Sequence, residues 1–141
     1  MVGHYTLEEA QEEAMRLQRV LPTAELRQMC SDPSERDRLL ALFVMRRQTA
    51  EQRLDVDYLE LAKSLIEDEN NDCRWQALIV IGEFIPADPE AVWRVVARYG
   101  VSDDPDMRMA VATVLLEHLI ELFPATFRRW RSNISVNSSL A

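Results

Sequence analysis

Near the C-terminus, three arginines surround a tryptophan in the run Arg128-Arg129-Trp130-Arg131. A basic run with an interleaved aromatic residue can bind phosphate groups or an acidic protein surface. The favoured interpretation is purely structural, because cations at the end of a terminal helix suit the dipole of that helix. The run is also kept as a candidate binding surface, whose ligand the residues do not name.

Glu117, His118 and Glu121 lie within one turn of a predicted helix. Such a group offers a general base or half of a metal site. A solvated helix face is the favoured interpretation, because no third ligand is evident and the chain holds only 2 histidines. No glycine-rich phosphate loop is present either, since the 3 glycines are isolated. We predict no catalytic residue, no metal and no cofactor.

Trp75 and Trp93 can also stack a base or a small ligand. Both flank apolar helical stripes, which favours a place in the core. The two cysteines, Cys30 and Cys73, adjoin apolar runs and form no CxxC pair. Buried free thiols are therefore expected rather than a disulfide or a metal-ligand pair.

The composition is that of an ordinary globular chain of 141 residues, with 48% hydrophobic and 28% charged residues. This length predicts one domain. A net charge of -8 argues against nucleic acid as the default partner. The N-terminus shows no basic and apolar leader, and the longest apolar runs, 77–82 and 110–116, are too short to cross a bilayer. The resulting expectation is a soluble cytoplasmic protein without membrane contact.

Helix start signals recur along the chain. Thr6 and Glu9 form a capping box, and an Asp-Pro pair opens each of three later helices, at 32–33, 88–89 and 104–105. With few glycines and no strand pattern, the sequence predicts an all-α fold. A short terminal helix is expected over 125–131, with Phe127 and Trp130 buried, followed by a flexible Ser/Asn-rich tail over 132–141.

The helix predicted over 72–85 is apolar on nearly every side and must be packed between other helices. Gln76, Val80 and Glu83 fall at i, i+4 and i+7, so we expect them to form its one water-facing stripe. Arg74 shares a face with apolar residues, so its charge needs a carboxylate partner. Gly82 costs about 1 kcal/mol against alanine in a helix, and we interpret it as a point where a neighbouring backbone comes close.

The beginning of this helix recurs along the chain. The triplet Asp-Cys-Arg at 72–74 returns 34 residues later as Asp-Met-Arg at 106–108, and Ser-Glu-Arg at 34–36 starts 38 residues before it. Each arginine is followed by apolar residues three and seven positions later. A period in the mid-thirties with two helices per unit indicates an α-solenoid.

The segment 68–82, with the pattern D-x4-C-R-x2-A-x3-I-G, resembles the second half of a HEAT-type repeat. The unit around 106–108 lacks the glycine, and the unit around 34–36 has Glu35 at a usually apolar position. The resemblance covers roughly residues 23–122. It implies a right-handed α-α superhelix of about three HEAT-like helix pairs in a single domain over 1–131, with units about 6–48, 56–86 and 88–122.

The resemblance also implies a ladder of ion pairs between neighbouring units. In such repeats the acidic turn residue and the arginine face the adjoining units. Breaking one buried pair of this kind would cost about 3–5 kcal/mol. The residues concerned are Arg36, Arg74, Arg108, Asp68, Asp72, Asp103 and Asp104.

The predicted function is non-catalytic binding of another protein, by a small adaptor or regulatory module. Acidic N-terminal and basic C-terminal residues have opposite signs, which allows weak head-to-tail association of copies or docking of a charged partner. The candidate surface comprises Gln76, Glu83, Glu117, His118, Glu121, Arg128, Arg129, Trp130 and Arg131.

Two other functions stay open at this point. A small immunity-type regulator would use its acidic surface to block a basic target. A DNA-binding protein would use Trp75 or Trp130 with neighbouring arginines, by analogy of fold with the alkylpurine DNA glycosylases, which resemble stacked HEAT units.

Overall fold

A computed structural model describes residues 6–17, 19–51 and 54–139, and every regular element among them is helical. The all-α prediction is therefore confirmed. A π-helical segment, Ala112–Leu116, joins the seventh helix to the eighth without a break. The helices are α1 (Leu7–Arg16), α2 (Thr23–Cys30), α3 (Glu35–Ala50), α4 (Val56–Lys63), α5 (Asn71–Gly82), α6 (Pro89–Tyr99), α7 (Pro105–Val111), α8 (Glu117–Leu122) and α9 (Pro124–Ser139).

Capping side chains set the first residues of several helices. Thr6, Asp88 and Asp104 each accept a hydrogen bond from a backbone N–H in the first turn that follows, at 3.1, 3.1 and 2.9 Å. These bonds confirm the predicted starts of α1, α6 and α7. Helix α3 begins at Glu35, later than its Asp-Pro signal, because the Asp32 side chain caps the turn ahead of the helix.

The chain forms two compact units, one ending at Ile81 and the other beginning at Gly82. In the first unit, α3 is the most enclosed helix, and every side chain from Arg38 to Met45 is buried. Helices α1 and α2 pack on α3, and α4 packs on α2. Enclosure from several directions explains why α3 shows no clean apolar stripe.

The C-terminal end of α1 is tied to α3 by polar side chains. The guanidinium of Arg47 donates to the backbone carbonyl oxygens of Ala14, Leu17 and Arg19. A cation at this end of a helix satisfies its last carbonyls and opposes its dipole. The side chain of Gln48, next along α3, holds the segment that follows α1.

Helix α5 is buried on most sides, but its exposed stripe is not the predicted one. Gln76 is 7% exposed and Val80 is 0% exposed, whereas Trp75 is 40% exposed. The predictions that Gln76 and Val80 face water and that Trp75 lies in the core are wrong. The side-chain oxygen of Gln76 accepts a hydrogen bond from Arg46 at 2.7 Å, which allows this polar residue to be buried. The helix is thereby turned so that Asp72 and Trp75 face outward.

In the second unit, α7, the π-helical segment and α8 form one continuous helix, on which α6 packs. Helix α9 follows after a bend of 115° at Phe123 and packs on α8. The core of this unit includes Val92, Val95, Val96, Met107, Ala110, Val111, Leu115, Leu119 and Trp130.

Helix α9 runs as far as Ser139, beyond the short helix predicted over 125–131, and residues 140–141 of the predicted tail lie outside the described residues. Serine and asparagine have low helix propensity, which suggested the tail. An established helix propagates far more easily than a new one nucleates, and the first half of α9 is held by packed aromatic rings.

Among the described helices, none taken singly has the length and apolar character to cross a membrane. The bent pair Pro105–Leu122 and Pro124–Ser132 meets the length and composition only when its two parts are taken together.

Candidate functional site: the arginine face of α9

Three aromatic side chains fix α9 on α6. The rings of Trp93 and Trp130 stack, with centroids 5.0 Å apart and planes 9° from parallel. Phe127 meets Trp93 edge to face, with centroids 6.3 Å apart and planes at 84°. Each such aromatic pair stabilises the fold by about 0.5–1.5 kcal/mol, in addition to the free energy gained by burying its surface. The side of α9 that carries Phe127 and Trp130 is therefore anchored.

Trp130 belongs to the core, as predicted for the helix over 125–131, and not to the candidate binding surface in which it is also placed. Its side chain is only 6% exposed, and one face of its ring is covered by Trp93. A nucleobase needs an open ring face on which to stack. Trp130 therefore offers no open ring face to a base, whereas Trp75, the other tryptophan named for that alternative, is 40% exposed.

The sides of α9 that do not face α6 carry Arg128, Arg129 and Arg131, which are all exposed. We call these three residues the α9 arginine face. Within the described part of the chain, none of them forms an ion pair. Each guanidinium presents a rigid fork of donors that matches a carboxylate or a phosphate.

The helix dipole does not account for these cations. That explanation required the helix to end near Arg131, where the last carbonyls are negative. Because α9 continues to Ser139, the three arginines lie in its first half, nearer the end at which the dipole favours anions. Local helix electrostatics therefore give no stabilising reason for the α9 arginine face.

Helix α8, just ahead of α9, presents acidic and apolar side chains to solvent. Glu117, His118 and Glu121 are exposed, as the solvated-face interpretation expects. Ile120 and Leu122 are also exposed, by 38% and 54%. Among the residues that the structure describes, no group of three His, Cys, Asp or Glu side chains is placed to hold a metal ion.

Of the remaining predicted surface residues, Glu83 is exposed and Gln76 is buried. Gln76 is therefore withdrawn from the candidate surface. The exposed residues that remain all follow Gly82 and so belong to the second unit.

Arg38 of α3 forms a buried ion pair with Asp68, which lies in the turn before α5. Its Nε and Nη2 atoms donate to the two carboxylate oxygens of Asp68, at 2.7 and 3.2 Å. Its Nη1 atom donates to the backbone carbonyls of Asp32 and Pro33, at 2.8 and 2.9 Å. Asp68 thus forms an ion pair between two elements, as the predicted ladder requires. Its partner, Arg38, is not one of the three predicted arginines.

Arg36, one of the three arginines predicted to join such a ladder, donates to Glu13 at 3.0 Å on the surface. Arg36 and Arg38 both precede apolar residues at helical spacing, and they point to opposite sides of α3 because they are two residues apart. Arg108 donates to the carbonyl oxygen of Ser102 at 2.6 Å. Arg74 is partly buried. Its pairing, and the roles of Asp72, Asp103 and Asp104 in a ladder, stay predictions.

Ionisation in the first unit follows burial and pairing. The hydrogen bond to Asp68 raises the pKa of the Arg38 guanidinium, burial opposes this, and attraction to the same carboxylate adds to it. Burial raises the pKa of the Cys30 and Cys73 thiols to about 12. Both thiols are free, which confirms that prediction. Neither is a thiolate at neutral pH, so neither is prepared to act as a nucleophile.

A second charged feature lies on α1. An open cleft of about 440 Å³ is lined by Glu9, Glu12, Glu13, Arg16 and Arg36. Its acids are partly paired, since Arg16 lies 3.0 Å from Glu12 and Arg36 lies 3.0 Å from Glu13. The cleft is an open charged surface rather than an enclosed reaction site.

Comparison with known proteins adds no functional precedent: no family model matches this chain, and no curated protein or solved structure matches it either.

Proposed function

We propose that this protein is a non-catalytic binding module that docks an acidic segment of another protein on the α9 arginine face. The observation that carries the proposal is the exposure of Arg128, Arg129 and Arg131 without an ion pair in the described chain, on a helix braced by stacked tryptophans. The dipole of their own helix does not stabilise their positive charges. A carboxylate-rich partner would supply the missing counter-charge.

Exposed apolar side chains favour a protein partner over a nucleic acid. Ile120 and Leu122 lie at the end of α8, directly before α9 begins. A protein segment with both acidic and apolar side chains can use the arginines and these two residues together. A phosphate backbone uses only the arginines, and Trp130 is not open for base stacking.

The aromatic residues of α9 also argue against a membrane as the partner. A helix that lies on a bilayer inserts its aromatic and aliphatic side chains and keeps its cations at the headgroups. Phe127 and Trp130 are instead packed against Trp93. The part of α9 that they define has no free apolar stripe to insert.

For the scaffold, we propose a HEAT-like right-handed superhelix of about three helix pairs. Two hydrogen bonds that join α3 to α5 and to the turn before α5 support it: Arg46 bonds to Gln76, and Arg38 bonds to Asp68. Both bonds join residues 30 positions apart, a little less than the 34 and 38 residues between the repeated triplets. The two free thiols fit a reducing compartment, which supports the cytoplasm as its location.

The proposal is tested with a labelled helical peptide of glutamate, alanine and leucine, whose anisotropy is measured at about 0.1 M and about 1 M salt. The wild-type chain is compared with R128Q/R129Q/R131Q. Exposed ion pairs contribute about 0.2–1 kcal/mol each, so the variant should bind roughly tenfold more weakly. A matched control, R19Q/R27Q/K63Q, removes three cations from the first unit and should bind the peptide like the wild type.

Two further probes distinguish the alternatives. A labelled oligothymidine and vesicles that contain phosphatidylserine are tested at the same two salt concentrations. Tighter binding of either probe than of the peptide would replace the proposal by that ligand class. Equal peptide binding by the wild type and R128Q/R129Q/R131Q would remove the α9 arginine face as the site.

A further inference from the structure

We propose that the acidic segment bound by the α9 arginine face is the outer stripe of α1 in a second copy of this chain. This inference rests on the proposed function of α9 and names its partner. Both surfaces belong to one chain, so no other component is needed for them to meet.

The outer stripe of α1 consists of Glu8, Glu12 and Met15, and we call it the α1 acidic stripe. These residues fall at i, i+4 and i+7, and all three are exposed, Met15 by 70%. The inner face of α1 is occupied by Ala10 and Ala14, which are buried. The stripe is therefore the side of α1 that the first unit does not cover.

Glu8 and Glu12 can bind another copy with little loss of free energy within their own chain. Glu8 forms no ion pair within the described residues, and Glu12 pairs only with Arg16, one turn further along α1. The side chains of that pair are 75% and 65% exposed, and such i, i+4 pairs contribute about 0.3–0.5 kcal/mol. Glu12 can exchange Arg16 for an arginine of another copy with little loss.

The two surfaces match in spacing as well as in charge. Glu8 and Glu12 are one helical turn apart, and so are Arg128 and Arg131, which gives similar separations between the charged pairs. Each surface also has an apolar neighbour: Met15 belongs to the stripe, and Leu122 ends the helix before α9. Two ion pairs with an apolar contact at one end form a compact joint between helices.

The contact is heterologous, because a different surface is used on each copy. Copies therefore join head to tail into rings or open chains rather than into one symmetric pair. The net charge of -8 repels copies at long range, and this repulsion is screened at about 0.1 M salt, where the Debye length is about 10 Å. Ion pairs whose atoms are in direct contact persist at about 0.1 M salt and weaken as the salt concentration rises to about 1 M.

The inference is tested by sedimentation velocity from about 10 µM to about 1 mM, at about 0.1 M and about 1 M salt. The wild type should associate at the lower salt concentration and dissociate at the higher one. E8K/E12K and R128E/R131E should each weaken association by roughly tenfold or more. Controls of equal charge change, E60K/E67K and R19E/R27E, should associate like the wild type, and circular dichroism checks that every variant is folded.

Mixing the two reversed variants gives the decisive result. E8K/E12K keeps an intact α9 arginine face and R128E/R131E keeps an intact α1 acidic stripe, so an equimolar mixture should associate again. A chain that stays monomeric to about 1 mM overturns the inference, as does association that only one reversal weakens or that mixing does not restore. If the wild type is monomeric but the acidic peptide still binds α9, the proposed function stands and only the choice of partner fails.

Discussion

Arg38 and Asp68 are separated by 30 residues in the chain and joined by two hydrogen bonds, and their side chains are only 10% and 7% exposed. The pair connects the first turn of α3 with the turn that leads into α5. Two buried charges in this geometry satisfy one another, and the two backbone carbonyls that Arg38 also contacts accept hydrogen bonds from its Nη1 atom. The pair therefore fixes the relative position of these two elements within the first unit.

Replacing Arg38 by alanine should lower the free energy of unfolding by about 3–5 kcal/mol, because it leaves Asp68 buried without a counter-charge. Urea denaturation followed by circular dichroism measures the loss. The matched control is Arg36→Ala, which removes an ion pair to Glu13 with side chains 55% and 31% exposed and should cost no more than about 1 kcal/mol. Similar losses in the two variants would contradict the assignment, and R38M/D68L should recover much of the stability.

Gln48 should be the most sensitive polar residue of the first unit, because it is 0% exposed. Its side-chain amide accepts from the backbone N–H of Leu21 at 2.7 Å, donates back to the carbonyl of Leu21 at 3.3 Å, and donates to the hydroxyl of Tyr58. Gln48→Leu removes the partners of the buried backbone N–H and carbonyl of Leu21, at about 1–3 kcal/mol for each. Urea denaturation should show this loss, and amide exchange at Leu21 should become faster. Gln28→Leu, an exposed change, should stay within about 0.5 kcal/mol.

The two thiols should make the protein sensitive to alkali. Burial raises their folded pKa to about 12 from an ordinary value of 9.0, so the unfolded chain releases these protons first as the pH rises. Their contribution is complete below pH 9.0 and is lost between 9.0 and about 12, at up to about 1.4 kcal/mol per pH unit for each thiol. Urea denaturation at several pH values should show a steeper alkaline fall for the wild type than for C30A/C73A. Equal slopes would mean that the thiols ionise alike in the folded and unfolded chain.

Gly82 should accept alanine, because the neighbouring backbone comes near this position without excluding a Cβ. An added Cβ would lie 3.5 Å from Cδ2 of Leu115 and 3.9 Å from the carbonyl oxygen of Val114, which are ordinary contact distances. The gain in helix propensity is up to about 1 kcal/mol. Gly100→Ala is the matched contrast, because its Cβ would lie 2.6 Å from the carbonyl oxygen of Val96 and the backbone would have to move. Thermal unfolding should rank Gly82→Ala at or above the wild type and Gly100→Ala below it.

Much of the local structure follows from short stretches of sequence. The capping residues Thr6, Asp88 and Asp104 identify the starts of three helices, because a cap needs only its own next turn. The burial of Cys30 and Cys73 also follows from the apolar runs beside them. These features depend on interactions over a few residues, and so they can be read from the order of residues alone.

The tertiary structure decides which side chains of each helix are buried and which face solvent. The predictions for Gln76 and Trp75 are wrong, because Gln76 is buried by its bond to Arg46 and Trp75 is 40% exposed. Trp130 fits two conflicting predictions, and its stack with Trp93 decides for the core. Helix periodicity gives the spacing of a stripe but not its direction when a helix is enclosed on several sides. Partners 30 or more residues away settle the direction, and so only the folded chain shows which arginines are paired inside and which are left on the surface to bind.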